Sequence, residues 1–371
     1  MTVMTLHSPS PSPSIAIAIA TMLVIMFYVA IASALLVVSL TIGYRMFREA
    51  QRTSPPLSGW VVVTGTSSGI GLATAASLVT SQNTRVCAMV RKASDADALA
   101  AVVGEEVFSS SVLVVVADVT DPDSLHAAAK ALAAESGPHG ARPGPVWGLV
   151  ACAGISVLGS VAETPISDWQ RQIDVNLLGT IRTVQAFLPL VRASPPDVPK
   201  RIVVVGSLFG VLAEYPGWGI YAASKFALEA VVRTLRAELW REAIDVVMVN
   251  PAGIATPFLQ KLGNDIGSSP SSSSSSSSSP SPSVPGPPHI TASLANFAAH
   301  TSAGSPSDVA RTLSRALFSS SPYTYYPVGP QAGMIYASSS LLPNPILHLV
   351  ARSGIPQALL FHLNNLFSRS K

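Results

Sequence analysis

Two hydrophobic patterns divide this chain. From residue 15 to residue 42 almost every position is apolar, and no polar face recurs at helical spacing. From residue 59 to residue 330 short apolar runs, rich in β-branched residues, alternate with longer stretches in which Ala and Leu recur at helical spacing. The short runs predict strands over residues 61–63, 85–90, 112–117, 146–151, 201–205, 244–249 and 323–328. Between them the periodicity predicts helices over residues 71–80, 95–103, 122–134, 167–191 and 221–241, with a further helix starting at Ser307-Asp308-Val309-Ala310-Arg311. Ser167 and Gln170 have the spacing of a capping box at the head of the fourth helix. Regular alternation of this kind predicts an α/β fold, a doubly wound parallel sheet covered by helices on both faces, with strand order 3-2-1-4-5.

The apolar run at residues 15–42 is about 28 residues long, so as a helix it measures roughly 42 Å against a hydrocarbon core of about 30 Å. It lacks a basic segment before it and is about twice the length of a signal-peptide core, which disfavours a cleaved leader. It is therefore expected to be a transmembrane anchor. No Asp, Glu, Lys or Arg precedes Arg45, while Arg45, Arg48 and Arg52 follow closely. The positive-inside rule then puts the following domain in the cytosol. The expected organisation is an N-terminal transmembrane helix within residues 1–44, a basic linker at 45–58 and a catalytic domain at 59–330. Within that domain, residues 268–288 are nearly all Ser and Pro and are expected to form a disordered insertion. Residues 331–371 read as an apolar helical tail, interrupted by Gly354 and Pro356. The tail suits a homodimer contact, a contact with membrane lipid or a wall of a substrate site, and the sequence does not choose among them.

Composition narrows the partners. The formal charge is +3 and only 12% of the residues are charged, with no Lys/Arg cluster on a predicted helix face. Nucleic-acid binding is excluded on that ground. Cys87 falls on the second predicted strand and Cys152 at the end of the fourth. The first strand should separate them, so no disulfide is expected and both read as core residues. No metal site is assigned.

The chemistry lies in four places. Thr64-Gly65-x3-Gly69-Ile70-Gly71 joins a predicted strand to a helix, a turn whose glycines let the backbone approach a pyrophosphate at a helix N-terminus. Alone, such a turn is also an ordinary connection. Tyr221 and Lys225 stand one helical turn apart on one face. A carbonyl that accepts a hydride needs a proton donor, and an ammonium beside a phenol would lower its pKa from about 10 toward neutrality. Alone, a Tyr and a Lys sharing a helix face is common. Ser207 follows the fifth strand, and Asn176 sits mid-helix, where Asn is disfavoured.

Together these motifs, with Asn250-Pro251-Ala252-Gly253, resemble the short-chain dehydrogenase/reductases over roughly residues 58 to 330. The stretch Tyr221-Ala-Ala-Ser-Lys225-Phe-Ala-Leu-Glu229 is most similar to membrane-associated retinol and steroid dehydrogenases. The resemblance implies a Rossmann-like fold and a catalytic set of Tyr221, Lys225, Ser207 and Asn176. Lys225 would also bond the nicotinamide ribose, and Ser207 would hold the substrate oxygen. It implies cofactor contacts from Gly65, Ser67, Ser68, Gly69, Ile70 and Gly71, from Asp118 and Val119 at adenine, and from Ala153 and Gly154. Pro251, Gly253, Ile254 and Thr256 would lie on the nicotinamide side.

Strand 85–90 ends in Val90-Arg91-Lys92, with no acid for a ribose 2′-hydroxyl, so Arg91 favours NADP(H) over NAD(H). Ala151-Cys152-Ala153-Gly154 departs from the family's usual Asn-Asn-Ala-Gly, which removes an Asn that ties neighbouring strands. The segment between Ser207 and Tyr221 is about one residue longer than usual. The chain is thus expected to be a single-pass membrane oxidoreductase of the endoplasmic reticulum, acting on a steroid, retinoid, sphingoid or acyl-chain alcohol or ketone. The alternative is a catalytically idle NADP-binding membrane scaffold.

Overall fold

Seven apolar runs pair side by side in one sheet. They are β1 (Trp60–Thr64), β2 (Arg85–Val90), β3 (Val112–Val116), β4 (Val146–Ala151), β5 (Lys200–Val205), β6 (Ile244–Pro251) and β7 (Tyr325–Val328). The order is β3-β2-β1-β4-β5-β6-β7 and every neighbouring pair is parallel. The expected order 3-2-1-4-5 runs from the β3 edge, and β6 and β7 extend the sheet beyond β5. The computed structural model describes residues 59–255 (apart from 83, 137–139, 141, 143 and 214), 287–300, 304–329, 332–333 and scattered positions within 21–40.

Nine helices are described in the same domain: α1 (Gly69–Ser81), α2 (Asp97–Val103), α3 (Glu105–Ser111), α4 (Pro122–Ser136), α5 (Ile166–Ile173), α6 (Gly179–Arg192), α7 (Gly219–Leu239), α8 (Pro288–His300) and α9 (Pro306–Phe318). Parallel strands need such returns, and the returns cover both faces of the sheet. On one face Val62, Leu149 and Ile202 pack with Leu125 and Leu132 of α4, Phe187 of α6 and Leu228 of α7. On the other, Val61, Val150 and Val203 pack with Leu78 of α1 and Leu313 and Leu317 of α9. Burial on both sides is why these strands read as continuous apolar runs rather than as alternation.

Several local expectations are corrected. The helix predicted over residues 167–191 is two helices joined by a π turn at Asp174–Leu178. Its head is not a capping box. Pro165 holds the chain extended at φ −56°, ψ 142°, so the helix starts at Ile166 and Ser167 falls inside the first turn. The capping box lies instead at α9. There the Ser305 hydroxyl accepts from the Asp308 N–H at 3.2 Å and the Asp308 carboxylate accepts from the Ser305 N–H at 3.1 Å. The helix predicted over 95–103 is followed by an unexpected one, because Gly104 at φ +84° breaks the helical path between α2 and α3.

Cys87 lies in β2 and Cys152 just after β4, with β1 between them, and both thiols are free. Burial pushes each thiol up to about 12; at Cys152 the nearby Lys225 charge acts in the opposite sense. Neither is a thiolate at neutral pH.

The chain divides into two compact units, Met1–Arg52 and Thr53–Lys371. In the first, every described residue between Thr21 and Leu40 is helical, and Met22, Phe27, Tyr28, Leu36 and Leu40 are exposed. Among the described residues no helix is long and apolar enough to cross a membrane. The rest of the predicted span, the linker at 45–58, nearly all of the Ser/Pro insertion and the tail beyond residue 333 lie outside the described residues.

Candidate active site

Because all the strands are parallel, their carboxyl ends share one edge of the sheet. The chain reverses its direction of winding between β1 and β4, and a crevice outside the strand ends is expected at that point. Most predicted site residues follow a strand end, Gly65 to Gly71 after β1, Arg91 after β2, Asp118 and Val119 after β3, Ala153 and Gly154 after β4, Ser207 after β5, and Pro251 to Ile254 at β6, while Tyr221 and Lys225 lie on α7 and Asn176 between α5 and α6. Thr256 lies outside the described residues.

The turn after β1 has the shape of a phosphate cradle. Gly65 and Gly69 have φ of +71° and +57°. A Cβ on Gly71 would stand 2.1 Å from the Gly65 carbonyl oxygen, so only glycine lets α1 start this close to the strand. The Thr66 N–H and hydroxyl both donate to the Met89 carbonyl, at 3.2 and 3.0 Å, and pin the turn against β2. Ser68 caps α1 in an extended conformation without a side-chain bond to the helix, and it is exposed, while Ser67 and Ile70 are half-buried. The first-turn N–H groups of this 13-residue helix are therefore unclaimed by the capping side chain. These features fit a dinucleotide pyrophosphate. The strand tie expected to be lost with the missing Asn is made by Thr64, whose hydroxyl accepts from the N–H groups of Cys152 and Ala153, both at 2.9 Å.

At the adenine side, Asp118 accepts from the Thr120 N–H at 2.8 Å and the Thr120 hydroxyl at 2.7 Å. Burial works to raise its carboxyl, but these two bonds and the Arg91 charge together hold it below the usual range. Arg91 is thus close enough to Asp118 to act on it, and is itself exposed. Val119 is buried. On the opposite side, the Ala252 N–H donates to Val328 at 2.8 Å and the Gly304 N–H to Gly253 at 2.9 Å, and Ile254 is buried.

Tyr221, Lys225, Ser207 and Asn176 are all buried. The Ser207 side chain is hydrogen-bonded to the Tyr221 phenol, so the longer intervening segment does not separate them. Lys225 Nζ stands 5.8 Å from the centre of the Tyr221 ring and donates to the Val205 carbonyl at 3.1 Å. Asn176 sits in the π turn, its side chain bonding both backbone groups of Ile155 at 2.9 and 3.0 Å.

The expected lowering of the phenol is not what this pair does. Burial pushes Tyr221 up to about 12, with the Ser207 bond acting against it, and burial pulls Lys225 down to about 8, with Cys152 acting against that. Desolvation penalises the charged form of each and outweighs the opposing contribution at each.

The structure also gathers residues that the motifs did not reveal. Phe209 and Trp218 stack at 4.2 Å with planes 8° apart, and both stand edge-on to Tyr221, at 6.0 and 5.7 Å. Leu158 and, from α8, Ile290 and Leu294 complete this apolar cluster around the phenol. Gln172 and Ser224 join the polar side, beside Asn176. A Gln one helical turn before Asn176 and a Ser adjoining Lys225 were the available signals. Ile290 and Leu294 offered none, since they follow the Ser/Pro tract.

A family model described as short chain dehydrogenase matches residues 59–267. Over 207 residues the chain is 35% identical to glycine betaine reductase ATRR of Emericella nidulans, covering 55% of this chain and 15% of that protein. It is 32% identical over 223 residues to retinol dehydrogenase 7 of Rattus norvegicus, covering 60% of this chain and 65% of the relative. A short chain dehydrogenase/reductase from Burkholderia phymatum, solved in complex with NAD, superposes with a TM-score of 0.58 at 21% identity, over 76% of this chain and 92% of that one. At that identity the likeness concerns the fold.

The displaced titration of Lys225 gives a stability test. Its native value of about 8 lies below the unfolded value, so the unfolded chain binds more protons between them, and the burial penalty is relieved as pH rises through that window. Denaturation midpoints of wild type and Lys225→Met, measured at pH 7.5 and 9.5, should show the wild type gaining on the variant at the higher pH. An unchanged difference would mean that Lys225 titrates as an exposed lysine.

Proposed function

The chain belongs to the short-chain dehydrogenase/reductase family of oxidoreductases, and we propose that it is a membrane-anchored member transferring hydride between NADP(H) and a lipophilic alcohol or ketone. The observation that carries the catalytic reading is the hydrogen bond between the buried Ser207 and Tyr221 side chains, with the Lys225 ammonium behind the ring. The bound nicotinamide would supply the hydride. Tyr221, which keeps its proton across the neutral range, donates it to the carbonyl oxygen. Ser207 holds that oxygen with a second hydrogen bond, and Lys225 stabilises the phenolate left behind. Asn176 holds the backbone after β4 at Ile155, beside Ala153 and Gly154, which would line the cofactor.

NADP(H) is favoured because β2 ends at Val90 and is followed by Arg91 and Lys92, and the nearby Asp95 carboxylate is engaged by the Lys92 N–H at 3.3 Å. Arg91 then offers an exposed guanidinium to a 2′-phosphate. A lipophilic substrate is supported by the aromatic and aliphatic groups around Tyr221 and by the apolar run at residues 15–42. Arg45, Arg48 and Arg52 after that run favour a cytosolic catalytic domain.

Three measurements test this. Wild type should oxidise NADPH over a panel of apolar ketones, and Tyr221→Phe should keep cofactor affinity while losing more than about nine-tenths of kcat/KM, a cost above roughly 1.4 kcal/mol. No turnover of any carbonyl by wild type would favour the idle scaffold. Arg91→Ala should weaken NADPH far more than NADH by titration, and equal loss would remove Arg91 from the 2′-phosphate. In sealed vesicles with the cytosolic side outward, added protease should cut the domain while the N-terminal segment resists alkaline carbonate extraction. Protection of the domain would place it in the lumen, and extraction would show that residues 15–42 do not span.

A further inference from the structure

Two buried amides, one helical turn apart, hold the same strip of backbone and the same hydroxyl. Gln172, at the end of α5, is fully buried. Its side-chain oxygen accepts from the Val157 N–H at 2.6 Å, and its amide nitrogen donates to the Ile155 carbonyl at 2.9 Å and to Ser224 Oγ at 3.4 Å. Asn176 accepts from the Ile155 N–H at 2.9 Å and donates to the Ile155 carbonyl at 3.0 Å and to Ser224 Oγ at 3.1 Å. Ser224 in turn donates to the Tyr221 carbonyl at 2.7 Å.

The hydroxyl of Ser224 has one proton and two lone pairs, and all three are used. Because amide N–H groups fill both lone pairs, its proton has one remaining direction, toward Tyr221. Removing Gln172 frees one lone pair and leaves the half-buried Val157 N–H without its acceptor. A network of this kind is rigid when complete and costly when one member is missing.

We propose that Gln172 is a positioning residue for the reaction, locking residues 155–157, which follow Gly154 after β4, to the first turn of the helix that carries Tyr221. The role rests on the reading of Tyr221 as the proton donor. Gln172 touches no reacting atom itself. It acts through Ser224 and through the backbone it shares with Asn176.

Gln172→Met should lower kcat at least tenfold while KM and the NADPH dissociation constant stay within about threefold, since the change falls on alignment. Gln172→Glu supplies a signature that lost stability would not. Its buried carboxyl, raised above the usual range by desolvation, can donate one hydrogen bond while protonated and none once ionised. Its kcat should therefore fall as pH rises, along a limb absent from wild type. Ser194→Ala removes another buried hydroxyl, bonded to Val146 at 2.9 Å, and should keep wild-type kcat. Amide hydrogen exchange gives a readout independent of turnover: in Gln172→Met, residues 155–157 and 219–225 should lose protection together.

Wild-type kcat and pH profile in both Gln172 variants would overturn the proposal, as would loosening confined to 155–157. If wild-type protein reduces no carbonyl, the functional reading fails by itself, and the exchange result alone decides whether Gln172 couples the two segments.

Discussion

Parallel strands impose one constraint from which the rest of this molecule follows. Each return between neighbours needs a crossover, so every strand leaves the sheet at the same edge and each crossover covers a face. Six positions widely separated in sequence, from Gly65 to Ile254, are thereby brought to one edge without any contact among their side chains having to arrange it. The glycines after β1 are the local condition for this. With a Cβ at Gly71 the helix could not begin against the Gly65 carbonyl, and the cradle would open.

Burial then sets the chemistry of the site. Apolar packing from Leu158, Phe209, Trp218, Ile290 and Leu294 withdraws Tyr221 from water, and the same withdrawal raises the phenol and lowers the lysine. Four polar side chains that remain inside are matched with partners, Thr64 to two N–H groups of the segment after β4, and Asn176 and Gln172 to residues 155–157 and Ser224. Each of these would cost on the order of 1–3 kcal/mol if left unmade. Position and protonation are thus produced by one arrangement.

Much of this was legible in the sequence, for identifiable reasons. Continuous β-branched runs mark strands buried on both faces, and the order of Gly65, Asn176, Ser207 and Tyr221 marks the edge on which they meet. The failures were local or long-range. The Ser167/Gln170 spacing was outcompeted by Pro165, whose ring fixes the extended residue before α5. The π turn at Asn176 is only five residues long and lies between two helices, too short to interrupt their periodicity, so pattern alone reads one continuous helix. Ile290 and Leu294 reach the phenol from beyond residues 268–288, a tract whose composition says nothing about where the chain returns. The sign of the tyrosine shift was missed because spacing along a helix reveals a neighbouring charge but not the depth at which both groups lie.

That depth bears on which substrates the site favours. A carbonyl arriving beside Ser207 meets a phenol that already carries its proton, and donation is the step the resting protein is prepared for. An alcohol must instead give its proton to a phenolate, which burial disfavours unless positive charge lies close by. Lys225 stands close enough to be that group, but its own affinity for a proton is weakened, so in the protein alone it keeps most of its charge near neutral pH and loses it above about 8. Reduction therefore needs less rearrangement of charge than oxidation. The apolar cluster packed around Tyr221 keeps water from the phenol and so strengthens the field in which its proton is held.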